Sequence, residues 1–232
     1  MAVNGNANRH LALLYNIPPL CLIGEGGFYL LHKKYWVVRS TKESIMIHEP
    51  IVFRRFCPDD LPEIMRIQHA NQPSNLSRAE QADGFLSAEF SSEQFARMHR
   101  EIPMVVADCG LRLGGYMCGC SLASCATVPL MAHMATLFPV TSYKSKPLNQ
   151  YRNFIYGPVC VERPLRGKGI LEGLFREYKA QLAGQFDIGI LFVSLANPRS
   201  LQAHIHKLGM CKLCEFSFSG REYGLLIFDA AG

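Results

Sequence analysis

The stretch from residue 154 to residue 184 constrains the fold of this chain more than any other. It begins with "FIYGPVCV", which has no charged residue before Glu162 and is typical of a strand buried inside a sheet. The turn "RPLRGKG" follows. Beyond it, apolar residues recur every four positions, at Ile170, Leu174, Tyr178 and Leu182. That period predicts an amphipathic helix, which ends near Gly184.

A glycine-rich turn between a strand and a helix can hold an anion. The first N–H groups of a helix have no partner within it, the helix dipole is positive at that end, and glycine allows close approach of the backbone. Arg166 and Lys168 add positive charge beside those amides. Two familiar phosphate loops do not match. Gly169 replaces the hydroxyl residue of a Walker A loop, and the third glycine of a dinucleotide fingerprint comes one place late, at Gly173.

The chain before this stretch alternates between strand and helix patterns from about residue 50. "PIVFRRF" predicts a strand, and "CPDDLPEIMRIQHAN" predicts a helix with acidic residues in its first turn. Ser91 and Gln94 have the spacing of a capping box at the start of a second helix. Two strands are predicted to join at Cys109-Gly110, and a further helix is predicted over residues 127–138.

The chain after this stretch predicts three more strands. "IGILFVSLA" is a buried strand that runs into Asn197-Pro198, an N-cap residue followed by a proline at the first helical position. The last two strands form a hairpin around Ser219-Gly220. Residues 46–232 are therefore predicted to form one mixed α/β domain.

Residues 1–45 are predicted to be an N-terminal extension of uncertain role, with a start-site artefact and a true beginning at Met46 as one explanation. Their apolar run is broken by Pro18-Pro19, Glu25 and three glycines. A transmembrane helix needs about 20 consecutive apolar residues, so none is expected there. Lys33 and Lys34 follow the apolar part instead of preceding it, which argues against a signal peptide.

Charge and cysteine content exclude few classes of protein. The net charge of +5 is mild and no run of basic residues marks a nucleic-acid-binding tail. The nine cysteines lie largely in apolar runs and are interpreted as reduced thiols of a cytosolic core. A zinc site is a weak alternative, because a single C-x-x-C is a poor signal. Its four candidate ligands are His204, His206, Cys211 and Cys214.

The strand, turn and helix together resemble the pyrophosphate loop of the GNAT superfamily of N-acetyltransferases, V-x-x-x-x-R-G-x-G-[IV]-[GA]. The matching residues are Val161, Arg166, Gly167, Lys168, Gly169 and Ile170. Only Leu171 departs from the final small residue. Asn197 and the helix ending in "HKLGM" are similar to a second signature of the superfamily, and the resemblance covers residues 50–216.

The resemblance implies an α/β fold of the α+β type, with a mixed, mostly antiparallel sheet flanked by helices. The fourth and fifth strands of the sheet would splay around acetyl-CoA, the implied co-substrate, and no metal is implied. Four main-chain N–H groups would bind the CoA pyrophosphate: those of Gly167, Lys168, Gly169 and Ile170. Arg166 would position the loop or reach a phosphate. Asn197 would cap its helix and contact the pantetheine arm.

The same resemblance implies that the fourth strand takes part in catalysis. Val159 and Val161 lie on it, and one of their amides would polarise the thioester carbonyl. A base must remove a proton before the amine can attack. Glu162 and Tyr156 are the candidates on or beside this strand, although Glu162 can equally end the strand in solvent.

The proton donor to the leaving thiolate is less clear from the sequence. In this superfamily it is often a tyrosine four residues before the glycine of K-L-G, and here that position is Ile205. Counting forward from Asn197 gives His204 instead, because the segment is one residue longer than the common form. An imidazolium at His204 would supply the proton, or the thiolate would leave unassisted.

The implied function is an N-acetyltransferase that transfers acetyl from acetyl-CoA to a primary amine by direct attack in a ternary complex. The acceptor is a small molecule or a protein amino group, and residues 71–90 and 143–152 are predicted to form its walls. The alternative is a non-catalytic CoA-binding sensor or regulatory module of the same fold. A cytoplasmic location is expected, without nucleic-acid or membrane partners, and with a homodimer left open.

Overall fold

The computed structural model describes residues 50–230 in full and, before them, the backbone of three short strands, β1 (Cys21–Leu22), β2 (Phe28–His32) and β3 (Tyr35–Val38). The chain divides into two compact units, residues 1–50 and residues 51–232. In the first unit the three strands form an antiparallel sheet in the order β1-β2-β3. The predicted start at Met46 lies outside the described residues.

A seven-stranded sheet forms the centre of the second unit. The strands of this unit are β4 (Val52–Arg55), β5 (Val105–Asp108), β6 (Leu113–Cys120), β7 (Ser142–Tyr143), β8 (Lys146–Pro147), β9 (Asn153–Val161), β10 (Ile188–Ser194), β11 (Cys211–Phe218) and β12 (Arg221–Asp229). β7 and β8 form a separate small hairpin, and the sheet order of the others is β11-β12-β10-β9-β6-β5-β4. β9 and β10 are parallel, and every other neighbouring pair is antiparallel. The predicted mixed, mostly antiparallel sheet is confirmed.

Helices cover both faces of this sheet. They are α1 (Leu61–Ala70), α2 (Arg78–Gln81), α3 (Ser92–Glu101), α4 (Leu122–Cys125), α5 (Pro129–Thr136), α6 (Ile170–Leu182) and α7 (Pro198–Gln202), which continues as a π-helical turn over Ala203–Lys207. Helices α1, α3, α4 and α5 bury their apolar side chains on one face, and α6 and α7 on the other. The four residues of the predicted stripe on α6 are all buried in the second face.

The local start signals of the helices are confirmed. Ser91 Oγ accepts a hydrogen bond from the N–H of Gln94 at 3.3 Å, and Gln94 Oε1 accepts one from the N–H of Ser91 at 2.7 Å. Asn197 Oδ1 accepts from the N–H of Ser200 at 3.2 Å and caps α7. These caps satisfy N–H groups that a helix start leaves without partners, which fixes where α3 and α7 begin.

Strands β9 and β10 pair over a short distance and then separate. Their parallel register covers three residue pairs, from Asn153 opposite Ile188 to Ile155 opposite Ile190. Beyond these pairs β10 continues beside β12, and β9 continues beside β6. The predicted splay of the fourth and fifth strands of the sheet is therefore confirmed, and it opens a gap in the centre of the sheet.

The cysteines differ from the expectation of reduced thiols. The structure pairs Cys120 with Cys125 in a disulfide, with their Cα atoms 6.5 Å apart. Cys120 ends β6, and α4 begins almost directly after it, so the chain turns back and brings Cys125 alongside. An apolar run in the sequence does not reveal this turn. Cys211 and Cys214 are free thiols on β11.

Two further features concern the described residues only. Within residues 50–230, no group of three or more His, Cys, Asp and Glu side chains is arranged to hold a metal ion. In the same part of the chain, no helix is both long and apolar enough to cross a bilayer.

The packing of β10 against β12 generates a test of the fold. A Cβ atom on Gly189 would lie 2.3 Å from Cζ of the buried Phe228, whereas the nearest neighbour of one on Gly224 is at 3.4 Å, an ordinary contact. We expect Gly189→Ala to lower the free energy of unfolding by about 1–3 kcal/mol through overpacking. The matched control Gly224→Ala is expected to stay within about 0.5 kcal/mol of the parent. Denaturant unfolding measures both, and equal midpoints would contradict this packing.

Candidate functional site

The edge of β9 that faces the gap carries unpaired backbone groups. The N–H of Glu162 donates to the carbonyl of Gly114 on β6 at 2.9 Å. Because strand residues alternate in direction, the backbone groups of Val159 and Val161 point the opposite way, toward the gap. The Val161 carbonyl accepts a hydrogen bond from Arg166 Nε at 3.1 Å. The N–H and C=O of Val159 and the N–H of Val161 are thus left for a ligand in the gap.

The turn after β9 presents a run of free amides. Gly167 and Gly169 have φ angles of 76° and 79°, in the left-handed region that glycine adopts without strain. Gly169 is the N-cap of α6, and no side chain of the described residues caps this helix. In the described part of the chain, none of the N–H groups from Gly167 to Glu172 has a hydrogen-bond acceptor. Free amides at the positive end of a 13-residue helix form an anion site.

A cavity of about 320 Å³ opens beside this turn and the edge of β9. Gly167, Ile170 and Leu171 line its end at the turn, and Val159 and Val161 line its side along β9. Residues of α7 and residues 83–86 form the remaining walls. Lys168 is exposed beside the turn. Six of the predicted cofactor-binding residues line this cavity, whereas Lys168 and Gly169 do not: the six are Val159, Val161, Arg166, Gly167, Ile170 and Asn197.

The Arg166 side chain supports the cavity wall and does not reach out to a ligand. Nη2 donates to Asn71 Oδ1 at 2.6 Å, and Nη1 donates to the carbonyl of Asp83 at 2.5 Å. Together with the bond from Nε to Val161, these contacts use all three guanidinium nitrogens. Burial lowers the pKa of Arg166 below its usual range. The prediction that Arg166 reaches a phosphate is therefore wrong, and its alternative, that Arg166 positions the loop, fits the structure.

Residues 77–90 form a crossing segment that runs along the cavity. Glu80 pairs with Arg163, and Asp83 pairs with Arg199. At the far end of the segment, Gln68 of α1 hydrogen-bonds both the N–H and the C=O of Phe90, at 3.0 and 2.7 Å. The prediction that this region borders the site fits, since residues 83–86 line the cavity.

Residues 143–152 do not lie where the sequence predicted. Tyr143 and Lys144 bind the Asp229 carboxylate at 3.2 and 2.9 Å, and Arg152 pairs with Asp187 at 2.7 Å. No residue of this loop lines the cavity beside the turn, nor a second, smaller cavity of about 90 Å³ that adjoins it. Long-range contacts with the ends of β10 and β12 hold the loop, so its prediction as an acceptor wall is wrong.

Asn197 joins α7 to the crossing segment. Its Oδ1 caps the helix, and its Nδ2 donates to the carbonyl of Phe85 at 2.9 Å. The side chain is 3% exposed, so both of its polar groups are used inside the protein. Asn197 therefore shapes the cavity that it lines instead of offering a free amide to a ligand.

A smaller cavity of about 90 Å³ continues from the first through the gap in the sheet. Both cavities share part of their lining: Phe85, Leu86, Val159, Asn197, Ser200 and His204. The smaller one passes between Pro158 of β9 and Leu191 of β10 and reaches Met131 of α5, on the opposite face of the sheet. A ligand from the first face and a second one from the other face can thus meet between the strands.

Tyr156 lines the smaller cavity but is not a base. Its hydroxyl is buried and has no hydrogen-bond partner among the described residues. Burial raises the pKa of Tyr156 well above 10.0, so the phenol keeps its proton at neutral pH. The prediction of Tyr156 as a general base is wrong, and the group present is a hydrogen-bond donor.

Glu162 lies outside both cavities. It is 7% exposed and forms ion pairs with Arg66 of α1 at 2.5 Å and with Arg112 at 3.8 Å. A carboxylate held by two arginines on the α1 face is directed away from the cavity lining. The structure therefore contradicts both expectations for Glu162, a base at the site and a strand end in solvent.

His204 is at the site, but in a different form from the one predicted. It is 4% exposed, and its Nδ1 lies 2.7 Å from the carbonyl of Ser200. A carbonyl only accepts, so Nδ1 carries the proton and Nε2 holds a lone pair. Burial lowers the pKa of His204 below 6.5, although the Ser200 carbonyl opposes the shift. His204 is therefore neutral at neutral pH, and the predicted imidazolium is wrong.

The π-helical turn explains the length of the α7 segment. The N–H of Leu208 donates to the carbonyl of Ala203 at 3.3 Å, five residues back, so the turn holds one residue more than an α-helical turn. Counting forward from Asn197 therefore gives the residue in the cavity, His204. Ser200 orients that histidine but was not predicted, because the contact is made by its main-chain carbonyl, which carries no signal in the residue type.

Comparison with solved structures supports the fold, whereas comparison of sequences finds no match. No protein-family model matches the chain. No curated protein sequence matches it either.

Solved structures do match. NAA60 of Arabidopsis thaliana, in complex with a bisubstrate analogue, aligns with a TM-score of 0.52 and 16% identity over 78% of this chain and 98% of its own. A Desulfovibrio desulfuricans protein assigned to the GNAT family aligns with a TM-score of 0.50 and 13% identity over 78% and 100%. The yncA protein of Salmonella typhimurium, with its cofactor acetyl-CoA, aligns with a TM-score of 0.50 and 14% identity over 79% and 96%.

Each of these structures aligns with 78% or 79% of this chain and with 96% or more of its own. The chain therefore has the fold of the GNAT acetyltransferases.

Proposed function

We propose that this protein is an acetyl-CoA-dependent N-acetyltransferase that acts on a primary amine of a small molecule or a protein by direct attack in a ternary complex. One observation carries the proposal: the unpaired edge of β9 and the free amides from Gly167 to Glu172 open onto one continuous cavity. A thioester on a long arm with a pyrophosphate at its other end matches both features.

The residues present fit CoA. The N–H groups of Gly167, Lys168, Gly169 and Ile170 would bind the pyrophosphate, because they have no acceptor of their own in the described chain. Val159 and Val161 would pair with the amides of the pantetheine arm, as a neighbouring strand would. CoA supplies an activated acetyl group as a thioester. A main-chain N–H of β9 that faces the gap would stabilise the negative charge that develops on the thioester oxygen.

The charges around the first cavity suit a ligand with several phosphates. Arg199 and Lys207 line it, and Lys168 lies exposed beside the turn. Asp83 and Glu172 also line it, and they pair with Arg199 and Lys207, the latter pair at 3.3 Å. These four charges cancel in pairs, so Arg166 gives the lining its net positive charge. The positive charges are supplied by side chains, and the free amides supply the directed hydrogen bonds.

The smaller cavity would receive the amine from the face of α5. Its lining there is largely apolar, with Phe90 and Met131 beside the exposed Ser87. Within residues 50–230, no Asp or Glu lines this cavity. The amine would therefore enter as the neutral base, since an ammonium group would lose its hydration without gaining a carboxylate partner.

We expect the wild-type protein to bind acetyl-CoA and to release CoA thiol when an amine is added. A ligand at 100 times its Kd stabilises the folded state by about 2.7 kcal/mol, so acetyl-CoA should raise Tm. A panel of small amines, peptides with free N-termini and lysine peptides identifies the acceptor. CoA binding without turnover of any amine would instead support a non-catalytic sensor module. Absence of both binding and turnover would contradict CoA as the ligand.

The free amides of the turn generate a second prediction. A Cβ atom at Gly167 would stand in open space on the cavity wall, where a bound phosphate would lie. We expect Gly167→Ala to raise the Kd for acetyl-CoA by on the order of tenfold, equivalent to about 1.4 kcal/mol. Gly220, in the β11–β12 hairpin, has a similar φ of 71° and equally open surroundings. Gly220→Ala therefore carries the same backbone strain, and calorimetry should show unchanged CoA binding for it.

The contacts of Arg166 generate a third prediction. Arg166→Lys retains the charge but loses the planar group that bonds Asn71, Asp83 and Val161 at once. We expect faster amide hydrogen exchange in residues 83–86 and weaker acetyl-CoA binding. Arg163→Lys is the matched control, because Arg163 reaches the same crossing segment through one half-exposed ion pair with Glu80. Equal exchange in both variants would show that Arg166 does not hold the segment.

A further inference from the structure

His204 stands at the junction of the two cavities. It is one of the few residues that line both of them, and its Nε2 is buried without a hydrogen-bond partner in the described chain. A buried polar atom without a partner is costly. Among the six such side-chain atoms of the described residues, only those of His204 and Tyr156 belong to residues that line these cavities. The position of Nε2 therefore points to a group that arrives with the substrates.

The ring of His204 is fixed in orientation. Its Nδ1–H donates to the Ser200 carbonyl at 2.7 Å, which leaves Nε2 as the free nitrogen. The ring of Tyr156 lies edge-on to it, with ring centroids 5.7 Å apart and an interplanar angle of 86°. His204 lines both cavities. A nitrogen with a lone pair, on a ring that a second group holds in the wall of a reaction cavity, has the arrangement of a general base.

We propose that His204 carries a proton from the acceptor nitrogen to the departing sulfur during acetyl transfer, and so serves as base and acid in turn. The proposal rests on the proposed function and assigns its proton chemistry to one residue. Glu162 is held in ion pairs outside the cavities, away from the acceptor, and burial keeps the proton on Tyr156, so neither residue is placed to serve as the base.

The transfer balances without any other reactant. The ammonium form of the acceptor first loses one proton to solvent, which gives the neutral amine. Its nitrogen then forms a bond to the acetyl carbon, and His204 Nε2 takes the second proton from that nitrogen. The C–S bond breaks, its electron pair goes to sulfur, and His204 Nε2 gives the proton to the sulfur. The products are an amide and a free thiol, and His204 is neutral again.

Several titratable groups share the cavities with His204. Tyr156 faces it from β9, and burial together with the Ser200 carbonyl accounts for the direction of its pKa. The charged and titratable side chains elsewhere in the lining of the first cavity are Asp83, Cys160, Arg166, Glu172, Arg199, His206 and Lys207. The pKa of His204 lies below 6.5, so its neutral, base-competent form predominates above that pH.

The decisive experiment compares wild type, His204→Gln and the control His69→Gln, in which an exposed histidine of α1 outside both cavities is replaced. We expect His204→Gln to lower kcat by on the order of 10² or more, the usual effect of removing a general base. The Kd for acetyl-CoA should change by less than about threefold, since the lost group acts in the transition state and not in binding. His69→Gln should behave as wild type.

The pH profile and chemical rescue separate proton transfer from a structural role. In wild type and His69→Gln, kcat should rise with pH along an acid limb centred below 6.5. His204→Gln should lack that limb.

Added imidazole should restore part of the activity of His204→Ala, because it can occupy the vacated space and carry the same proton. Unchanged kcat and an unchanged limb in His204→Gln would overturn the shuttle while the acetyltransferase stands. A wild type that acetylates no amine overturns both.

A measurement on the wild-type protein tests the proposal even if the His204 variants fail to fold. Nitrogen NMR of the wild-type histidines at pH 7 should show His204 as the neutral tautomer with its proton on Nδ1. Binding of CoA, whose thiol can donate to the lone pair, should shift the Nε2 resonance. A protonated Nε2 in the free protein at pH 7 would overturn the proposal.

Discussion

The separation of β9 from β10 is the constraint on which the site depends. Backbone groups in the middle of a sheet normally pair, and leaving them unpaired in a buried position is costly. The register between β6 and β9 shifts between Met117 and Gly119, where Val159 and Tyr156 stand opposite, so β9 contains one extra residue at Gly157-Pro158. A bulge bends its strand and ends regular pairing. β9 therefore follows β6 and leaves β10, and a polar edge is exposed within the core.

That edge stays open because long-range contacts hold the walls around it. Arg166 bonds the edge itself, Asn71 directly after α1 and Asp83 within the crossing segment. Asn197 ties the same segment to α7. Arg166 is half-buried and Asn197 is buried. Their N–H groups, which could otherwise bind a phosphate or a thioester, are used in these contacts within the protein. The charged residue of the motif thus shapes the site, and the uncharged main chain is left to bind the ligand.

The sequence predicted what local chemistry determines. The stripe on α6, the caps at Ser91 and Asn197 and the glycine turn depend on neighbours within a few residues, and all are confirmed. Strict alternation along β9 would place Tyr156 and Glu162 on one face. The bulge reverses that parity: Tyr156 packs on the α6 face with Val159 and Val161, whereas Glu162 reaches α1. A bulge, a buried ion pair and the partners of Arg166 are long-range features, which no local pattern reports.

The burial of His204 changes what a residue at this position can do. A histidinium in a site that is shielded from water loses most of its hydration energy, and Ser200 offers only one carbonyl in exchange. The ring therefore cannot store a proton between reactions. In the proposed shuttle, the His204 ring would hold the proton only briefly. The acceptor nitrogen becomes acidic when it bonds to the acetyl carbon, and the CoA sulfur becomes basic when its bond to that carbon breaks. Burial would couple the two proton transfers of this proposed shuttle, because the charge on His204 would be tolerated only while both partners are present.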